Sequence, residues 1–264
     1  MDENLPNKWW ARGLTEFIVF GVKQAWACLF AGLMLGVLIL TSVFWPDHAA
    51  VHRYDVILLC AVALQVCMLA LKLETWDEAA VILLYHIVGT VMEIFKVSVG
   101  SWIYPEDAIF MVMGVPLFSG FMYASVGSYI ARVIRVMDIR FYRYPPAWQT
   151  WILSVAIYLN FFTHHYGPDA RYILFGCFAL IYLRTRFYFG LHRLRLWMPF
   201  GLGAILVAFF LWLAENIGTL TGTWLYPDQF DTWHMVSFAK LGSWLLLIII
   251  SFVLVTVVNR PEAE

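Results

Sequence analysis

Residues 93–106 read Glu-Ile-Phe-Lys-Val-Ser-Val-Gly-Ser-Trp-Ile-Tyr-Pro-Glu, and residues 215–228 read Glu-Asn-Ile-Gly-Thr-Leu-Thr-Gly-Thr-Trp-Leu-Tyr-Pro-Asp. Glu93, Gly100, Trp102, Tyr104, Pro105 and Glu106 fall on Glu215, Gly222, Trp224, Tyr226, Pro227 and Asp228, every pair offset by 122 without a gap. Each copy ends a long apolar run. Gly just past a helix C-terminus is the usual stop signal. Trp, Tyr and Pro then make an aromatic turn of the kind that sits at a membrane–water interface. The two copies therefore predict two equivalent helix ends on one side of a bilayer.

Outward from these segments the chain is apolar throughout. Of 264 residues, 62% are hydrophobic and 13% charged, and the mean hydropathy is +0.75. A soluble domain carries about 25% charged residues, so one membrane domain over 1–264 is expected, with no soluble one. A spanning helix needs about 20 apolar residues. Eight runs approach or exceed that length: 17–44, 55–73, 79–98, 108–131, 147–164, 170–189, 197–217 and 234–258. They are apolar all round rather than alternating, which predicts an all-α polytopic bundle of eight transmembrane helices and not a β-barrel.

Basic residues orient the bundle. With the N-terminus inside, cytoplasmic segments hold Lys8, Arg12, Lys72, Arg132, Arg135, Arg140, Arg143, Arg184, Arg186, Arg193, Arg195 and Arg260, and the outer loops only Arg53 and Arg171. That asymmetry predicts a multi-pass protein of the cell (inner/plasma) membrane with both termini in the cytoplasm. Trp9, Trp10, Trp148, Trp151 and Trp197 mark the inner boundary, and Trp45, Tyr54, Trp102, Tyr104, Trp224, Tyr226 and Trp233 the outer one. The first apolar run is too long for a signal peptide and no cleavage site follows it.

Four runs separate the motif copies, an even number, so both copies face the same side. This predicts two parallel four-helix repeats, about 17–136 and 147–258, related by a pseudo-twofold axis along the membrane normal. Glu93 and Glu215 lie about two turns before their loops, still at membrane depth. A carboxylate there costs roughly 2.5–3.5 kcal/mol on insertion scales and should face the bundle interior and a partner. Lys96, at i+3, is the expected partner of Glu93. The matching position in the second copy is Gly218, so Lys240 is expected to pair with Glu215. The candidate ligand-binding set is Glu93, Lys96, Trp102, Tyr104, Glu215, Asn216, Trp224, Tyr226 and Lys240. His86, seven residues before Glu93, could extend a polar track inward. Glu93 and Glu215 are the candidate catalytic groups.

Other chemistry is thin. Cys28, Cys60, Cys67 and Cys177 lie in apolar runs and read as packing. His48, His52, His164, His165 and His234 collect on the outer side, but their spacing does not suit a metal, so no metal and no cofactor are expected. Gly32 and Gly36, and Gly120, Ala124 and Ser128, make small-residue stripes that predict close helix contacts. No pattern suits nucleic acid, and no Ser-His-Asp set, phosphate loop or dinucleotide fingerprint occurs. The expected partners are membrane lipid and a small-molecule or lipid substrate.

Glu93 to Glu106, Pro116 through Tyr129 and Glu215 to Asp228 resemble a bacterial integral-membrane family catalogued as domain of unknown function 817. The resemblance covers nearly the whole chain and implies a membrane fold without an activity. Glu215, Gly218, Thr221, Gly222 and Tyr226 also look like the Glu-x-x-Gly-x-x-Thr-Gly stretch of carotenoid hydratase and lycopene cyclase membrane enzymes. The first copy departs from it at Lys96 and Val99. Two functions follow as expectations. A small-solute carrier ranks first on repeat symmetry and predicts a water-lined vestibule reaching the midplane. An intramembrane enzyme acting on a lipid or isoprenoid, with Glu93 or Glu215 as general acid, predicts an apolar tunnel opening sideways to lipid.

Overall fold

The computed structural model describes residues 9–46 and 48–258. Lys8 and Arg260 of the basic tally, Asp47 and the side chain of Trp9 lie outside the described residues. The fold is mostly helical. Its helices are α1 Trp9–Ala27, α2 Leu29–Phe44, α3 Arg53–Ala70, α4 Trp76–Ser98, α5 Phe118–Val136, α6 Ala147–Thr163, α7 Arg171–Tyr182, α8 Phe200–Leu220 and α9 Lys240–Val258. Its strands are β1 Met111–Val112, β2 Val115–Pro116, β3 Arg140–Tyr142, β4 Arg186–Gly190 and β5 Arg195–Pro199. The helices α3, α4 and α8 are each long and apolar enough to cross a membrane, and the pair α1–α2 qualifies as one broken span.

Four expectations need correction. The run 17–44 is two helices bent by 68° rather than one rod, although no Pro stands at the break. Residues 108–117 form a short hairpin, β1–β2, so α5 begins only at Phe118. The run 170–189 ends as a helix at Tyr182. Its tail joins β4 in an antiparallel β3–β4–β5 sheet, so the fold is not all-α. Aromatic alternation in Arg186-Phe187-Tyr188-Phe189 suits a strand better than a helix. The sheet is tied to α1 by Lys23, which donates to the Gly190 carbonyl at 2.9 Å, and by Glu16, which accepts from the His192 and Arg193 N–H groups. The last correction concerns Gly32 and Gly36. A Cβ added at either meets open space, so neither marks a close helix contact.

The centre of the bundle is α5 packed on α9, with α1, α2, α3 and α4 around α5, and α6 and α8 against α9. The stripe on α5 does what small residues predict. A Cβ at Gly120 would strike His86 and Thr90, and one at Gly127 would strike Tyr85 at 2.8 Å. Because α5 is shielded by its neighbours, it can carry charge. Arg132, fully buried, meets Glu74 at 2.6 Å, and Glu74 also accepts from Ser128 and Gln65. Arg135 reaches Glu78, whose carboxylate also closes a capping box with Thr75 at the start of α4. Removing one member of a buried pair costs about 3–5 kcal/mol, which applies to Arg132–Glu74. Arg135 is half-exposed, so its pair is screened. Together they tie the start of α4 to α5 at the end far from the motif turns.

The two motif segments take the same backbone course. The helices before them, α4 and α8, stop at Ser98 and Leu220, and the helices after them begin at Phe118 and Lys240. Gly100 and Gly222 have φ of +70° and +64°. Ser101 N–H bonds the Lys96 carbonyl and Thr223 N–H the Gly218 carbonyl, the paired hydrogen bonds of a glycine helix stop. Ile103 and Leu225 then exchange two backbone hydrogen bonds of 3.0 Å, an antiparallel bridge between matched positions.

Candidate functional site

Beneath this bridge lie the two glutamates, 4% and 5% exposed. Glu93 accepts from the Trp102 indole N–H at 2.8 Å, the Tyr104 hydroxyl at 2.8 Å and the Tyr123 hydroxyl at 2.7 Å. Glu215 accepts from the Tyr226 hydroxyl and from the Trp244 indole N–H at 2.6 Å. Glu-to-Tyr spacing puts Tyr104 and Tyr226 in the same relation to their own carboxylates. All of these partners are neutral donors, and an indole N–H can do nothing but donate. The arrangement therefore satisfies each carboxylate as an acceptor.

The expected Glu–Lys pairs do not form. Lys96 turns away from Glu93, donating toward His165 Nε2 at 2.7 Å and His164 Nε2 at 3.4 Å, with its ammonium 4.3 Å from the Phe161 ring centre. Lys240 places its ammonium over the faces of Tyr226 and Trp102, at 4.0 and 5.7 Å. Sharing a helix face at i+3 makes contact possible but does not choose the rotamer. Here rings and imidazoles offered closer partners.

The copies differ around one exchange. Gly218 stands where the first copy has Lys96, and the Trp224 ring lies where a Cβ would be. With that ring drawn onto the helix, Trp224 does not serve Glu215, and Trp244 on α9 supplies the N–H instead. A second exchange is at the start of the following helix. Phe118 packs edge-on against Tyr104 at 6.1 Å, and its counterpart Lys240 sits on Tyr226.

A cavity of about 1170 Å³ begins at these groups. Glu93, Glu215, Lys96, Lys240, Trp102, Tyr104, Tyr123, Trp224, Tyr226 and Trp244 line its polar end. From there it runs between α1, α5, α6, α8 and α9 past Val126, Ile130, Ile157, Ala204 and Leu247 to Phe187 and Phe189 of the sheet. Ala25, Leu206 and Phe210 line it and are exposed on the outside of the helices, so it opens sideways between the α1–α2 bend and α8. Drug-sized ligands occupy about 300–1,000 Å³, so the volume suits a long molecule.

Two candidates fall outside. His86 packs against Phe121 and Gly120, and its Nδ1 is buried without a hydrogen-bond partner. It extends no polar track. Asn216 bonds the Trp212 carbonyl and receives the Val236 N–H, which pins the loop after the second motif. Sequence reasoning missed Tyr123, Trp244 and the contact of His164 and His165 with Lys96. Trp244 did carry a signal, since a Trp inside an apolar helix needs a partner for its N–H. Among the described residues no group of three His, Cys, Asp or Glu side chains could hold a metal ion.

Outside the spans, His165 is held below its ordinary range by burial and by the charges of Lys96 and His164. His234 is raised by its hydrogen bonds to the Met235 and Asp228 carbonyls and by the Asp228 charge.

Fold and site together define a helical membrane protein enclosing an apolar cavity that ends on two aromatic-clasped carboxylates. The chain belongs to the family described as Protein of unknown function (DUF817), whose model matches residues 16–252. It is 42% identical over 253 residues to the uncharacterized protein YoaT of Bacillus subtilis (strain 168), across 96% of this chain and 95% of that one. Among solved structures it is similar to the Insig homolog MvINS from Mycobacterium vanbaalenii, at 14% identity and a TM-score of 0.49, over 72% of this chain and 98% of that one. A cross-linked MvINS trimer gives the same values.

Proposed function

We propose that the protein takes a long-chain amphiphile, a lipid or isoprenoid, from the bilayer into this cavity, with the polar head at Glu93 and Glu215. The observation that carries the reading is the apolar cavity, open sideways and ending on the only two carboxylates of its lining among the described residues. A small-solute carrier would need free polar groups near the midplane. Below the motif turns the lining is mostly apolar, with Gln24 bonded to Met137 and Tyr129, and Ser125 to the Phe121 carbonyl. The frame we propose is eight membrane-embedded segments in two parallel units, 17–136 and 147–258, in the plasma membrane with both termini cytoplasmic. The shared backbone course of the motifs and the bridge between Ile103 and Leu225 support the pseudo-twofold.

The test uses the intact protein in nanodiscs. Mass spectrometry should find a retained lipid, and Ala204→Trp, which fills the cavity, should lose it. Cys28 lines the cavity. It should react with an apolar maleimide and resist a charged one. Rapid labelling by the charged reagent would mean a water-filled vestibule and would sink the proposal in favour of a carrier.

A further inference from the structure

The polar end of the cavity holds more positive charge than its carboxylates use. Lys96, Lys240 and Arg171 all line it. The oxygens of Glu93 and Glu215 are taken by Trp and Tyr donors. Among the described residues neither lysine forms an ion pair. Lys96 is only 6% exposed, yet its ammonium meets two imidazoles and a ring. His164 Nδ1 contacts the Asn160 carbonyl at 2.8 Å, which can only accept. That leaves the Nε2 lone pair of a neutral ring to face Lys96. Lys240 rests on ring faces, and Arg171 shares the outer rim with Asp169 at 3.2 Å.

Buried cations are normally matched by an anion. Lys96 is buried and Lys240 half-buried, and both are held by neutral groups that a charged oxygen would outcompete, since hydrogen bonds between ions are about twice as strong as neutral ones. The site is also one-sided. The second motif turn is closed by α3, whose Arg53 donates to the Thr221 carbonyl and Tyr54 to the Thr223 carbonyl. At the first turn the matched residue Ser101 lines the cavity. An incoming head therefore reaches Lys96 and Lys240 from the side of the first copy.

Building on the amphiphile reading above, we infer that the head bound here is an oxyanion of the phosphate type, held by Lys96 and Lys240 with Arg171 at the rim. The chain of the same molecule fills the apolar cavity.

The experiment compares phosphatidylcholine nanodiscs with and without phosphatidic acid, using native mass spectrometry of the full chain and, separately, inorganic phosphate as a tailless probe. Phosphatidic acid should be retained at least tenfold over phosphatidylcholine. Lys240→Gln should weaken retention about tenfold, and Lys240→Arg should restore it. Arg171→Gln, at the exposed rim, gives a second readout that does not risk the fold. Equal retention of the two lipids, lost together in Ala204→Trp, would overturn the anionic head while leaving the amphiphile reading standing. No lipid retained in any arm would overturn both. Saturation by inorganic phosphate with no gain from the acyl chains would assign the cations to a soluble anion and overturn the lipid headgroup.

Discussion

The first motif copy spends three donors on its glutamate and leaves its lysine facing histidines. The second spends two and has a glycine in the lysine's place. Backbone, helix stop and the Glu–Tyr contact are shared, so what diverged is the set of side chains that face the cavity. The difference teaches that the motif backbone is kept while the side chains facing the cavity vary; on the reading proposed above, head-group recognition would fall mainly to the first copy, joined by Lys240.

The contrast can be broken at its centre. Glu93→Ala strands three buried donors and Glu215→Ala two. A stranded buried donor costs about 1–3 kcal/mol, so the first variant should lose about 4 kcal/mol and the second about 3, read by denaturant unfolding in detergent. Equal losses would mean that the donor counts carry no energy. Next, Gly218→Ala drives a methyl into the Trp224 ring. Overpacking costs about 1–3 kcal/mol and the gain in helix propensity returns about 1, leaving a net loss of up to about 2 kcal/mol. Lys96→Ala, at the matched position, crowds nothing and should leave the fluorescence of Trp102 little changed. Tyr123→Phe removes the single donor to one oxygen of Glu93 and should cost about 1 kcal/mol. Its counterpart is Leu245, and in the second copy the neighbouring Trp244 is the single donor to one oxygen of Glu215.

The smallest effect is in pH. His165 has its folded pKa depressed below the unfolded value. It therefore contributes stability that is present above the ordinary histidine range and lost as pH falls through the unfolded value toward the folded one. Below that range a charged His165 would also repel Lys96. His165→Phe should flatten the pH dependence of unfolding, while a matched change at His234, whose pKa is raised, should act in the opposite direction.

The motif, the helix stops at Gly100 and Gly222, and the burial of both glutamates were legible because Trp, Gly and a membrane-depth carboxylate each have few physical uses. The Lys–Glu pairs were not, because spacing along a helix says nothing about aromatic rings arriving from other helices. Trp102 comes from the turn and Tyr123 from α5, and both outbid Lys96 for Glu93. The sheet was hidden by its composition. Arg184, Arg186, Arg193 and Arg195 read as an inner-loop charge cluster, and the alternation of Phe187, Tyr188 and Phe189 between them is short. The bend after Ala27 has no Pro to announce it. A cavity was expected from each functional reading, but its lining and course could not be read, since it is what the helices leave unfilled.

The bridge between Ile103 and Leu225 has a historical consequence. In a twofold dimer a residue on the axis meets its own copy in the partner. This chain brings two matched positions together in just that way, through reciprocal backbone bonds that do not depend on side-chain identity. A half-length ancestor could have made the same contact between two separate molecules. On that history, fusion into one chain would have freed each half to mutate alone, and positions 96 and 218 would be where that freedom was used.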